Sequence, residues 1–288
     1  MALHESRTKK FLRMIDFENA LFGLPFAYLG MILAGRSWPG FSVFFWVTLA
    51  MVSARTAAMC LNRVIDRKID RANPRTADWV MAKEELPVPF VWLMAILLSA
   101  VLIFSAWQLN PLCYRLSPLA LLILWGYSYT KHFTWLCHLI LGGAIGIGPV
   151  GGWLAVTGAW DWKPVLLFFV VMTWVAGFDA LYASQDIEFD RRMKLHSIPA
   201  HFGTEKGFVL CHGLHFFTVV FLIVCGAVFH LGDFYALAVG ISSVILTYEH
   251  CIVRPDDMIR MGTAAFKLNR YIGAILFIGA CLDLWLGA

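Results

Sequence analysis

Two short runs of residues carry a spacing that suits chemistry. Asn62, Asp66 and Asp70 form an Asn-x3-Asp-x3-Asp series, and Asp179, Tyr182, Asp186 and Asp190 form Asp-x2-Tyr-x3-Asp-x3-Asp. On a helix, residues four and eight apart share one face over about 12 Å. Asn62, Asp66 and Asp70 therefore make one acidic stripe, and Asp179 or Tyr182 with Asp186 and Asp190 make another. The sets are offset by 120 residues, and an arginine, Arg71 or Arg191, follows the last aspartate of each. A single stripe reads equally well as loop-edge charge balanced by Arg63, Arg67, Lys68, Arg71, Arg191 and Arg192. Two stripes of identical spacing point to a shared task. If they face each other, four carboxylates converge, at a cost on the order of 2–3 kcal/mol each if they lay at a membrane helix centre. Divalent cations relieve that repulsion; oxygen ligands select hard ions, and Mg²⁺ commonly combines a few carboxylates with substrate phosphates. Nearby Arg and Lys side chains suit the remaining charge of a diphosphate.

Three further positions stand close to these stripes. Tyr127 and Lys131, four apart, offer a hydroxyl and an ammonium at the same level, although each also fits an ordinary interfacial role. Arg55 lies seven residues before Asn62, on the same face and two turns deeper. A buried arginine needs a partner: either an acid such as Asp16 or Glu18, or the carboxylate of a substrate. His212 and His215 have no third ligand near them in sequence and read as packing or interfacial residues. The seven cysteines are scattered singly with no Cys-x2-Cys pair, as expected of small buried apolar residues.

The elements that must position these groups are membrane helices. Of 288 residues, 60% are hydrophobic and 15% charged, and mean hydropathy is +0.71, too apolar for a soluble domain. With about 20 apolar residues needed per span, nine stretches qualify: 18–35, 41–61, 89–108, 112–130, 133–157, 164–184, 207–230, 233–252 and 268–287. The expected fold is an all-α integral membrane bundle of nine transmembrane helices, one domain over residues 1–288. If the N-terminus and the loops after even-numbered stretches share a side, 19 of the 23 Lys and Arg lie there. The positive-inside rule then predicts N-in/C-out, with both stripes toward the cytoplasm. The net charge of +4 follows from this topology and implies no nucleic-acid partner. His4 to Lys10 reads as a polar lead-in, not a cleavable signal. The polar loops that matter are 67–88 and 185–206, and a shorter one surrounds Arg254-Pro255-Asp256-Asp257. The matched stripes suggest a parallel duplication of a four-helix unit. Gly142, Gly143, Gly146, Gly148, Gly151 and Gly152 suit close helix packing, and no strand precedes them to make a phosphate loop.

At the two stripes the chain resembles the UbiA superfamily of intramembrane prenyltransferases. Its first signature matches Asn62, Asp66 and Asp70, and its second matches Asp179, Tyr182, Asp186 and Asp190. A Tyr-x3-Lys element matches Tyr127 and Lys131, and the Ser197-Ile198-Pro199 and Phe202-Gly203 run resembles the segment that follows. Arg55-Thr56-Ala57-Ala58-Met59 and Asn73-Pro74-Arg75-Thr76 are most similar to 4-hydroxybenzoate-type and related quinone-pathway members. The resemblance implies Mg²⁺ held by Asp66, Asp70, Asp186 and Asp190 with Asn62 assisting. Arg67, Lys131, Tyr127 and Tyr182 would bind the diphosphate, and Arg55 would receive a small aromatic acid. It implies departure of the diphosphate, attack by an electron-rich ring on the allylic cation, and ring-proton loss to a carboxylate or the released diphosphate. The partners expected are a polyprenyl diphosphate, the aromatic acid and the lipid bilayer. The expected place is the inner (cytoplasmic) membrane, with the site toward the cytoplasm.

One departure from the pattern stands out. Asp78-Trp79-Val80-Met81-Ala82-Lys83-Glu84 replaces an Arg-Pro-Leu-x-x-Gly-like stretch, leaving Arg67, Arg75 or Lys83 to compensate; Lys194 also stands where glycine is common. The leading expectation is 4-hydroxybenzoate polyprenyl transfer in quinone biosynthesis. A menaquinone-pathway acceptor is the alternative enzyme reading. A cation-coupled transporter is the alternative of another class, disfavoured because transporter sites lie near the midplane on broken helices.

Overall fold

The computed structural model describes residues 5–16, 23–253 and 267–287, and among them every regular element is helical. The long helices are α2 (Leu24–Gly35), α3 (Phe41–Ile65), α5 (Val88–Leu109), α6 (Pro111–Thr130), α7 (Cys137–Thr157), α8 (Lys163–Ala183), α11 (Thr204–Val228), α12 (Asp233–Ile252) and α13 (Ile272–Leu286). Short helices lie at the ends of these: α1 (Arg7–Met14), α4 (Arg67–Ala72), α9 (Ile187–Arg192) and α10 (Ile198–Phe202). Local chemistry explains several boundaries. Prolines occupy the first turn of α2, α5, α6, α8 and α10, where a missing N–H costs nothing. Asn110 caps α6 by accepting from the Cys113 N–H at 2.9 Å.

The nine predicted stretches each contain one long described helix, but they do not all have the character of a span. Seven helices are long and apolar enough to cross a membrane: Phe41–Ile65, Val88–Leu109, Cys137–Thr157, Lys163–Arg192, Thr204–Val228, Asp233–Ile252 and Lys267–Leu286. Leu24–Gly35 is shorter, with 12 described residues. Pro111–Thr130 has the length but carries Arg115, Pro118 and a polar last turn. The chain is a multi-pass membrane protein on these helices.

The helices pack as a ring. α3 lies on α5 and α6, α6 on α7, α7 on α8, α8 on α11, α11 on α12 and α12 on α13, while α2 closes the ring against α7 and α13. Glycines permit close contacts here: a Cβ at Gly142 would overlap the Met172 carbonyl on α8, one at Gly152 the Ala27 carbonyl on α2, and one at Gly30 of α2 the Pro149 carbonyl on α7. Phe26, Leu29, Leu167 and Trp174, all fully buried, fill the core where α2, α7 and α8 meet.

Candidate active site

Both stripes end in the same way. α3 stops at Ile65, Asp66 caps it by donating its backbone N–H to the Asn62 carbonyl at 2.9 Å, and α4 restarts at Arg67. α8 stops at Ala183, a 3₁₀ turn spans Ser184–Asp186, and α9 starts at Ile187. The middle aspartate of each set thus sits at a helix break, so neither stripe is one continuous α-helix as the spacing predicted. Even so, Asn62, Asp66, Asp70, Asp179, Tyr182, Asp186 and Asp190 all line one cavity of about 810 Å³. The two breaks lie 120 residues apart, like the motifs.

Cations already sit on two of these carboxylates. Lys131 Nζ is 2.8 Å from Asp66 Oδ2, to which Asn62 Nδ2 donates at 3.0 Å. Burial works against the Lys131 charge, but Asp66 more than offsets it and raises the ammonium above its ordinary value. Across the cavity Arg75 Nε donates to Asp186 Oδ1 at 3.0 Å, its Nη2 makes a short bond to Oδ2, and its Nη1 donates to the Tyr182 hydroxyl. Asn73 Nδ2 adds a bond of 2.9 Å to Asp186 Oδ1. Asp190 Oδ2 accepts from Ser197 at 2.8 Å. Burial pushes the Asp70 carboxyl up to about 6, opposed by the Arg63 and Lys131 charges. Asp66 is 2% exposed, and its Oδ1 is buried without a hydrogen-bond partner, with His132 Nε2 3.6 Å away. An orphaned carboxylate oxygen among further carboxylate and amide oxygens fits a hard divalent cation.

The expected residues divide by position. Tyr127, Lys131 and Tyr182 line the cavity with the stripes. Arg67 is not among the lining residues, and its Nη1 donates to the Val64 carbonyl at 3.2 Å. One residue past Asp66, it points about 100° away from the stripe. Four other arginines line the cavity, Arg13, Arg55, Arg63 and Arg75; Arg63 and Arg75 are joined through Trp79, whose ring lies 3.8 Å from the Arg63 guanidinium carbon and 5.7 Å from that of Arg75. Arg63 was legible in principle, since it precedes Asp70 by seven residues and shares its face. Arg75 was among the three candidates for compensation. Of the others, Lys83 does not line the cavity and pairs with Asp78 at its rim at 2.6 Å, and Arg71 pairs with Glu84 at 2.6 Å. The atypical loop is anchored by Val80, Met81, Ala82 and Leu86, all buried, with Val80, Met81 and Leu86 packed against Met14, Met59 and Leu61. Lys194, where glycine was expected, has φ +56°, the left-handed conformation that glycine adopts most readily.

Arg55 is half-buried; its Nε is enclosed with no hydrogen-bond partner, and it makes no ion pair with Asp16. Glu18 and the Arg254–Asp257 segment lie outside the described residues. Arg55 lines the polar cavity and also a second cavity of about 460 Å³. That second space is apolar, walled by side chains such as Met51, Leu102, Leu116 and Ile123, and the two share Arg55, Tyr127, Leu141 and Ile145. The other residues singled out earlier are structural: His212 stacks on His250 at 3.7 Å between ring centroids, and His215 bonds His250 at 2.9 Å. The seven cysteines are free thiols, five of them buried.

A carboxylate-lined chamber opening onto an apolar one suits a substrate with an anionic head and a hydrocarbon tail, and the comparisons agree. The model of the UbiA prenyltransferase family matches residues 23–271. The 4-hydroxybenzoate octaprenyltransferase of Vibrio campbellii is 24% identical over 261 residues, covering 88% of this chain and 89% of that protein. The Yersinia pseudotuberculosis enzyme of the same name is 28% identical over 258 residues, covering 88% and 87%. Among solved structures, a UbiA homologue from Aeropyrum pernix superposes with TM-score 0.84 at 29% identity, covering 92% of this chain and 98% of that one. A UbiA homologue from Archaeoglobus fulgidus bound to DMAPP and Mg²⁺ superposes with TM-score 0.64 at 19% identity, covering 93% and 99%. With the family model spanning most of the chain and both of its carboxylate motifs facing one cavity, this protein belongs to the UbiA prenyltransferase family and is a membrane prenyltransferase.

Proposed function

We propose that the protein transfers a polyprenyl group from polyprenyl diphosphate to 4-hydroxybenzoate, in quinone biosynthesis, with Mg²⁺ as cofactor. The observation that carries this reading is the junction of the two cavities, where a partnerless Arg55 Nε sits between carboxylates on one side and hydrocarbon on the other. The diphosphate head lies among Asp66, Asp70, Asp186 and Asp190, and the prenyl tail lies in the apolar chamber. Asn62, Asp66, Asp70, Asp186 and Asp190 would hold the divalent cations, which when bound supply charge neutralisation for the departing diphosphate. Lys131 and Arg75, with the Tyr127 and Tyr182 hydroxyls, bind diphosphate oxygens once those carboxylates have another counter-ion. Arg63 adds positive charge at the same level. Arg55 pairs with the carboxylate of the acceptor and orients its ring toward the junction. Apolar walls keep water from the allylic cation.

The charge distribution supports an N-in/C-out arrangement of nine helices in the cytoplasmic membrane, with Leu24–Gly35 and Pro111–Thr130 completing the seven apolar ones. The site would then open to the cytoplasm.

Membranes containing the protein, given Mg²⁺, polyprenyl diphosphates of several lengths and 4-hydroxybenzoate, should form prenylated product. Asp66→Ala should lower kcat/KM by at least ~10²-fold, the scale seen when a metal site is damaged. Product with a bicyclic acceptor and none with 4-hydroxybenzoate would move the assignment to a menaquinone-type reaction.

A further inference from the structure

Replacing a ring hydrogen by a prenyl group releases a proton, and something at the junction must accept it. Asp179 stands seven residues before Asp186 on α8, about two turns deeper than the aspartate that Arg75 holds. It lines the polar cavity, and its side chain is 25% exposed there. One of its oxygens is fixed: His138 Nδ1 lies 2.7 Å from Asp179 Oδ2 and donates to it. The other, Oδ1, has no hydrogen-bond partner among the described residues, and Asp179 pairs with no lysine or arginine. Among the described residues its one ion-pair contact is with His138, through Oδ2 alone, whereas Asp66 and Asp186 are held by Lys131 and Arg75.

The His138 side chain is 5% exposed, at the second position of α7. Leu141 and Ile145, three and seven residues further along the same face, belong to both cavities. The His138–Asp179 pair therefore lies about one turn to the carboxylate side of the junction, beside the place where the carbon bearing the diphosphate must lie if head and tail occupy their chambers.

We infer that Asp179, held in place by His138, is the base that takes the ring proton. The assignment rests on the transferase reading above. The C1–O bond of the allylic diphosphate breaks, and its electron pair leaves with the diphosphate. A ring carbon ortho to the acceptor hydroxyl then supplies two electrons for the new C–C bond. The C–H electron pair restores the aromatic ring, and the proton passes to Asp179 Oδ1. The ring cation is a far stronger acid than any carboxylic acid, so the requirement on the base is placement. Asp179 is the catalytic residue here. His138 is a positioning residue, which directs one carboxylate oxygen away so that the other meets the ring.

The test follows product and released diphosphate together, using purified protein with Mg²⁺, a polyprenyl diphosphate and 4-hydroxybenzoate carrying hydrogen or deuterium ortho to the hydroxyl. The wild type should release one diphosphate per product without an isotope effect. Asp179→Asn, which keeps the shape and can still accept from His138, should cut product formation by about 100-fold. Its diphosphate release should fall less than tenfold, because the stalled ring adduct reverts and water entering from the polar cavity captures the allylic cation as prenol with loss of a proton, and a primary isotope effect on product should appear. Persisting diphosphate release also reports a folded, loaded site. His138→Ala should show the isotope effect with a smaller loss, partly rescued in His138→Gln, whose amide can still donate to Asp179. Product and diphosphate falling together in Asp179→Asn, without an isotope effect, would overturn the assignment, as would product formation at the wild-type rate. A wild type that makes no product at all would instead sink the 4-hydroxybenzoate reading, and this assignment with it.

Discussion

Each charged side chain in the cavity is explained by what it faces. Asp66 and Asp186 are buried or nearly so, and an isolated carboxylate in such a place is costly. Lys131 and Arg75 reduce that cost while no substrate is present. On the proposed function they would become available to a diphosphate only when a divalent cation replaces them, which would couple metal and donor binding. Arg55 has no such partner among the described residues, and its role can be isolated. Arg55→Gln is expected to raise KM for 4-hydroxybenzoate by roughly 10- to 100-fold, since hydrogen bonds to charged groups contribute about 1.5–3 kcal/mol. KM for the polyprenyl diphosphate should stay nearly unchanged, and steady-state kinetics varying one substrate at a time separates the two. An equal rise in both would place Arg55 at the diphosphate instead.

At the scale of elements, helix breaks and glycines determine the shape of the site. The breaks at Asp66 and Asp186 let each stripe continue past the end of its long helix while still facing the cavity. The α7 glycines divide by direction. Gly142 and Gly152 face neighbouring backbones and set helix separation, whereas a Cβ at Gly151 meets nothing within 4 Å and Gly151 lines the apolar chamber. Gly151→Leu should therefore fold normally, because leucine is the better helix former, and should fill part of the chamber that receives the prenyl tail. The expected outcome is a product distribution shifted toward shorter chains, read by mass spectrometry from a mixture of donors. An unchanged distribution would mean that the tail takes another route.

The whole molecule is a ring of helices with a polar mouth at one end and an apolar interior. The proposed nine spans would place the two termini on opposite sides of the membrane, and by the positive-inside rule the lysine and arginine distribution favours a cytoplasmic N-terminus. Reporter domains fused at each end should accordingly show the N-terminus in the cytoplasm and the C-terminus outside; both reporters on one side would refute this topology. Such an orientation lets cytoplasmic Mg²⁺ and the water-soluble acceptor reach the mouth while the prenyl tail enters from lipid.

Several features were set by the sequence alone. Hydropathy made the protein a helical membrane protein, because a bilayer leaves unpaired backbone groups unsatisfied and only helices of about 20 apolar residues answer that demand here. The spacing of four in both motifs placed the carboxylates on shared faces, and their matched offset made them partners. Spacing is local, however, and contacts between distant segments are not. That Arg75 rather than Arg67 reaches the second stripe depends on the path of the loop anchored by Val80, Met81 and Leu86. That Asp179 meets His138, 41 residues earlier in the chain, depends on how α7 packs against α8, which the glycines of α7 bring close. Sequence determined which groups could act on a diphosphate; tertiary packing decided which of them share the cavity and which oxygen is left free to take a proton.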